Sequence, residues 1–395
     1  MNVNHKVSIL IITSSILFNP ITIADDIKNT VNLSFRYRLE TVDQNGFIED
    51  AKASTVRTRL TLKTDWTTLF DTVIEFDDVR TMGSDDYNSG AGTSPEKSNY
   101  PVIADPVGTE VNQAYVRYNG EVAKVALGRQ RILIGNQRFV GGVGWRQNEQ
   151  TYDGLTVNSQ FKDAHLMYAY INNVNRIFGS DVPAGDHEHN THLLNYDYSG
   201  LANGKLSLYY YSIDNEDAMV LSNDTLGIRY SGKFNSVSYT AEYATQSEGN
   251  DYPRSYDADY LLMEASYKYN NYSFGGGYEL LGGDTGGGRG FTTSLATLHK
   301  FQGWADVFLA TPAAGIEDVY INGSVTIKGV NIKLVYHDYS FDEASGASVG
   351  NEVDIAISTK ITDNLTGLLK FASFDSDSDS YSSRDKIWLM FTYKL

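Results

Sequence analysis

The chain has no cysteine among its 395 residues. A disulfide framework is excluded, so hydrogen bonding and burial must hold the fold. Positive charge is in deficit: 32 lysines and arginines stand against 49 acids, a formal net charge of −17. That balance argues against nucleic acid as a partner, because phosphate recognition needs a basic footprint. Long apolar runs are scarce too. Nothing after residue 24 approaches the roughly 18 apolar residues of a membrane helix. The one early run, Val7–Phe18, follows His5 and Lys6 and precedes Thr22-Ile23-Ala24, the layout of a signal peptide cleaved after Ala24. Residues 1–24 are thus expected to be a signal peptide, and 25–395 one exported domain.

What is present is alternation. Val31, Leu33, Phe35, Tyr37 and Leu39 interleave with Asn32, Ser34, Arg36, Arg38 and Glu40. Val56, Leu60 and Leu62 interleave with Arg57, Arg59 and Lys63, and Phe70, Ile74 and Phe76 with Asp71, Glu75 and Asp77. A period of two is a strand with one apolar and one polar face. Such runs recur to the terminus, where Ile387, Leu389, Phe391, Tyr393 and Leu395 alternate. They include Val125–Ile134 and stretches near 193–199 and 352–361.

Alternation fits a soluble β protein, apolar face inward, or a membrane barrel, apolar face to lipid. Connection lengths separate them. Short gaps at 66–68, 119–122 and 162–163 take turns with long ones at 81–108, 135–150 and 173–191. Short periplasmic turns and long outer loops have that rhythm. The reading is an all-β, antiparallel transmembrane barrel of about 18 strands in the outer membrane of a Gram-negative bacterium. Tyr196 and Tyr198, Tyr239 and Tyr243, and Tyr267 and Tyr269 suit aromatic girdles. Segment 282–318 is too long for a hairpin loop, so it is expected to fold inward as a constriction or to cap the mouth.

One stretch stands apart. Between Gly128 and Gly154 lie Arg129, Arg131, Arg138 and Arg146, a Gly-Gly-Val-Gly cluster and Trp145. Ten of the 15 arginines fall between Arg36 and Arg146. GRQR at 128–131 and NQRFVGGVGWRQNEQTYDG at 136–154 resemble the alginate export family of outer-membrane proteins. So do EFDDVR at 75–80, GTEVNQAYVRY at 108–118, LATLHKFQGWADVFLATPAAGIEDVY at 295–320 and LVYHDYS at 334–340. The resemblance implies an 18-stranded barrel with an arginine-lined path for an acidic polysaccharide.

Hairpin pairing puts Arg36 and Arg38 near Arg57 and Arg59 on the lumen face, with Glu75 and Asp77 in reach. Two readings stay open. The arginines are a ladder paired with the acids, or a basic track for a carboxylate, for which the planar guanidinium is suited. Arg129 and Arg131 are expected on one strand face lining the pore, and Arg138 and Arg146 in the pore or bracing an inward loop. Further inward positions include Arg229, Lys333, Lys370, Glu242, Glu264, Glu279 and Asp354.

The function expected is a channel for an alginate-like polysaccharide or anionic sugars. A general porin for small nutrients, and an enzyme or adhesin acting through the loops, are alternatives. Implied partners are membrane lipid, lipopolysaccharide, the anionic saccharide and periplasmic export machinery. No cofactor, metal or catalytic residue is expected. Gly346-Ala347-Ser348-Val349-Gly350 matches a hydrolase elbow in spacing but sits between strands. His187, His189 and His192 miss the zinc-protease pattern and are expected in a solvated loop. Asp375, Asp377 and Asp379 begin like a calcium loop, but Ser380 and Lys386 replace its glycine and glutamate.

Overall fold

A computed structural model describes residues 27–250, 252, 254–343 and 346–395; the expected signal peptide lies outside them. Eighteen antiparallel strands form the wall: β1 (Lys28–Gln44), β2 (Ala51–Asp65), β3 (Phe70–Asp86), β4 (Gly108–Asn119), β5 (Ala123–Gln130), β6 (Thr151–Phe161), β7 (Ala164–Asn175), β8 (Asp186–Leu201), β9 (Gly204–Ile213), β10 (Asn223–Phe234), β11 (Val237–Glu248), β12 (Asp257–Tyr269), β13 (Tyr272–Leu281), β14 (Ile316–Ile327), β15 (Val330–Ser340), β16 (Ser348–Lys360), β17 (Leu365–Ser376) and β18 (Arg384–Lys394). Each pairs with its neighbours in sequence, and β18 returns to β1 in register from Ser34↔Lys394 to Gln44↔Arg384. Closure leaves no sheet edge, as a spanning β structure requires.

The burial pattern is inverted relative to a soluble protein. Apolar Val31, Met263, Phe274 and Ile321 are more than half exposed, while Arg38, Glu40, Glu352 and Asp354 are fully buried. Apolar side chains turned outward belong against lipid, and polar ones inward against water or one another. Connections of two to four residues, such as 162–163 and 361–364, close one end. Longer ones open at the other, the longest being 87–107, 131–150 (called L3) and 282–315 (called L7).

Three of the element limits that differ from the sequence reading bear on the candidate residues. β5 stops at Gln130, not Ile134: the chain leaves the wall there, and Ile132 packs inside the barrel. β8 begins at Asp186, so His187 and His189 point inward from a strand instead of lying in a solvated loop. β16 begins at Ser348, whose hydroxyl donates to Asp377 at 2.8 Å, a contact between strand ends with no helix elbow.

Gly128 has φ +121°, and a Cβ there would run into the Ala114 carbonyl oxygen of the adjacent strand. Gly128→Ala should therefore lower barrel stability by more than about 1 kcal/mol, the cost of placing a side chain where φ is positive. Urea unfolding in lipid vesicles measures this; an unchanged midpoint would show that the wall absorbs the strain.

Candidate permeation site

L3 and L7 meet inside the barrel. Val140 and Leu295 form a parallel bridge, and Gly141 N–H donates to the Leu295 carbonyl at 2.8 Å. Thr297 closes the seam: its N–H donates to the Gln137 carbonyl (3.1 Å), and its hydroxyl accepts from Val143 N–H (3.1 Å). Tyr152 on β6 donates to the Gly141 carbonyl at 2.6 Å. Around this seam Phe139 and Val140 of L3 and Phe291, Leu295, Ala305 and Phe308 of L7 pack with Tyr209, Tyr260 and Trp388 of the wall. The lumen thus contains an apolar core of its own, built because the loops' apolar residues can reach neither lipid nor the outer face.

The arginines frame this plug. Arg36 and Arg57 face each other directly across β1 and β2. Like charges so placed repel unless something compensates. L3 supplies it: Arg36 donates to the Gln147 side chain (2.9 Å), the Gly144 carbonyl (3.0 Å) and the Arg146 carbonyl. Arg38 donates to Asp105 of the 87–107 loop at 2.8 Å and to the Trp145 carbonyl, with its guanidinium 4.5 Å from the Trp145 ring centre. Arg59 lies opposite Asp77 in register and binds both Asp77 and Glu149. Arg57 approaches Glu149 at 3.8 Å. Arg131 joins Glu149 at 2.5 Å and also Glu75.

Deeper in, Arg138 donates to Glu279 at 2.7 Å, and Arg146 to Glu40 (3.1 Å) and Asp306 (2.8 Å). Arg129 takes another path. Ala126 and Gln130 are buried inside whereas Leu127 is 58% exposed, so Arg129 shares the outward parity of Leu127. It pairs with Asp153 at 2.8 Å across the β5–β6 ladder. Arg129 and Arg131, expected on one face, part because the strand ends between them.

The L7 side is fastened by a lysine among aromatic rings. Lys370 of β17 places its ammonium 3.8 Å from the Trp304 ring centre and 4.3 Å from that of Trp145, and donates to His299 Nε2 at 2.7 Å. His299 stacks on Trp145 at 4.4 Å and donates through Nδ1 to Asp306 at 2.6 Å. Lys386 of β18 reaches the same carboxylate at 2.7 Å.

The loop charges reflect this company. Burial raises the Asp306 pKa, but His299, Lys386 and Arg146 outweigh it and hold the carboxyl well below its usual range. Burial raises Glu149 likewise, and Arg59 and Arg131 bring it down to about 2. Burial, with Lys370 beside it, keeps the His299 imidazole neutral far into acid despite Asp306.

Below the plug, toward the short turns, the lumen opens into cavities. One of about 320 Å³ lies under L3, between Arg117, Lys124, Arg131 and His165. Another, about 250 Å³, lies under L7 between Arg229, Lys300, Trp304 and Lys333. Of the acids beside the arginines, Glu75 and Asp77 were legible from alternation. Asp105, Glu149 and Asp306 come from loops and gave no signal. Glu40 has the parity of Arg36 and Arg38, which would have found it.

Residues 28–279 match the model of a family described as alginate export. No curated protein matches the chain. Among solved structures the fold is similar to that of OccAB4 of Acinetobacter baumannii, at TM-score 0.69 and 13% identity over 95% of this chain and 100% of that one. It is also similar to OccK9 (OpdG) of Pseudomonas aeruginosa, at TM-score 0.71 and 13% identity over 93% and 98%. OccK5 (OpdH) of the same organism gives 0.69 and 15% over 93% and 98%. At such identities the likeness is one of fold.

Proposed function

The chain belongs to the alginate export family, and from that premise we propose that this outer-membrane channel passes small acidic sugars in preference to a long acidic polymer. The carrying observation is how the inward cations are spent. Of the eight arginines singled out from the sequence, Arg129 faces outward to Asp153; of the seven inside, six have a carboxylate partner, and the seventh, Arg36, is taken up by L3 carbonyls and Gln147. Arginines so engaged brace L3 and leave no continuous bare track for a polyanion. Three cations with no carboxylate within ion-pair distance among the described residues, Lys124, Lys300 and Lys333, line the two cavities. Those cavities sit at or below the small end of solute sites, about 300–1,000 Å³, which favours one or a few sugar units.

Selectivity tests the reading. In planar bilayers under a salt gradient, the reversal potential is expected to show anion preference, since pore-lining charge sets the favoured ion. In liposome swelling, glucuronate should enter faster than glucose, and a long polyuronate should be excluded. Cation preference would sink the proposal. Entry of the polymer at the monomer's rate would restore polysaccharide passage as the function.

A further inference from the structure

We propose that the cavity under L7 is a binding station for a single acidic sugar ring, built by Lys300, Lys333, Gln302, Trp304 and Glu264; this rests on the small-anion channel reading above. Lys333 projects inward from β15 and Lys300 hangs from L7, so one cation is fixed to the wall and the other to the plug. The Lys300 ammonium donates to the Asn136 carbonyl at 2.8 Å, and that of Lys333 lies 5.5 Å from the Trp304 ring centre. An ammonium has three N–H donors, so both have donors left for a carboxylate.

The acids around the cavity are mostly engaged. Glu279 is held by Arg138 at 2.7 Å and Asp318 by His337 at 2.9 Å. Arg229, also on the cavity wall, is bound to Glu242 and stands 3.9 Å from Glu264. Glu264 accepts the Tyr320 hydroxyl at 3.0 Å and keeps acceptor capacity for the hydroxyls of a solute.

An independent feature points into the same space. Gln302 is 5% exposed, its Nε2 has no hydrogen-bond partner among the described residues, and it lines the cavity. A buried amide donor left empty is costly, and a hydroxyl or carboxylate oxygen would satisfy it. Trp304, half-buried, offers an indole to the C–H face of a ring. A simple carboxylate would use only the lysines, and a neutral sugar only Gln302, Glu264 and Trp304. A carboxylated pyranose uses both sets, and the cavity of about 250 Å³ suits a solute of that scale.

The test is interruption of single-channel current by glucuronate, glucose and acetate in the full-length protein. Glucuronate should block at concentrations at least tenfold lower than the other two. Lys333→Met should weaken that block at least tenfold, Lys333→Arg should retain most of it, and Lys300→Met should weaken it as Lys333→Met does. Block by glucuronate no better than by acetate, or unaltered in Lys333→Met, overturns the station while wild-type anion preference leaves the channel reading standing. Cation preference in the wild type removes the channel reading itself.

Discussion

Replacing Arg146 by methionine is expected to raise single-channel conductance severalfold while the barrel stays folded. Arg146 is buried between Glu40 on β1 and Asp306 on L7, and so ties wall, L3 and L7 at one point. Without it, Asp306 would keep Lys386 at 2.7 Å and His299 at 2.6 Å, and Glu40 only Lys386 at 3.4 Å and Arg38 at 3.9 Å. Removing one partner of a buried ion pair costs about 3–5 kcal/mol when the other charge stays uncompensated, and part of that cost remains here because two carboxylates are left to share one buried ammonium. A loop can escape that cost by leaving the wall and letting water in. The strand ladders do not pass through Arg146, so closure of β18 on β1 is untouched. Conductance in planar bilayers reads the loop, and gel mobility before and after boiling reads the barrel. Wild-type conductance in the methionine variant would mean that the seam at Val140 and Leu295 holds L3 unaided.

The role of Arg146 shows where sequence reading reaches and where it stops. Period-two alternation identified the wall because each strand meets lipid on one side and the lumen on the other. Arg36, Arg38, Arg57 and Arg59 were placed inward for that reason. The same alternation misled at Ile132 and Ile134, whose apolar partner is the plug instead of lipid; alternation reports an apolar face, not what covers it. At the other extreme, β8 was missed where it rises past the apolar belt. There Asp186, Glu188 and Asn190 face out and His187, His189 and Thr191 face in, so both faces are polar and no contrast survives. The pairing of Arg38 with Asp105, or of Arg146 with Asp306, spans 67 and 160 residues of chain. Nothing local encodes it. The family resemblance marked both L3 and L7 as special stretches, but not that one closes on the other.

Acid should release L3, and Glu149 sets where. Its carboxylate faces Arg57 and Arg59 from β2 and Arg131 from L3, with Glu75 and Asp77 sharing the same arginines from β3. In the docked loop its pKa is held at about 2, below the ordinary glutamate value of 4.5. A depressed carboxyl pKa stabilises docking above the ordinary value, and that contribution disappears as pH falls through the depressed one. The window therefore runs from about 4.5 down to about 2. The gap amounts to about 3 kcal/mol at neutral pH. His299, neutral throughout, adds no step near pH 7. Conductance should accordingly stay flat from about pH 8 to pH 5, since no loop carboxylate of this network titrates there. It should rise toward pH 2, with pepsin beginning to nick L3 over the same range. Glu149→Gln keeps the shape and forfeits the charge, so it should loosen the loop already at neutral pH and flatten the acid rise. An acid rise of full amplitude in Glu149→Gln would show that Glu149 is not the switch.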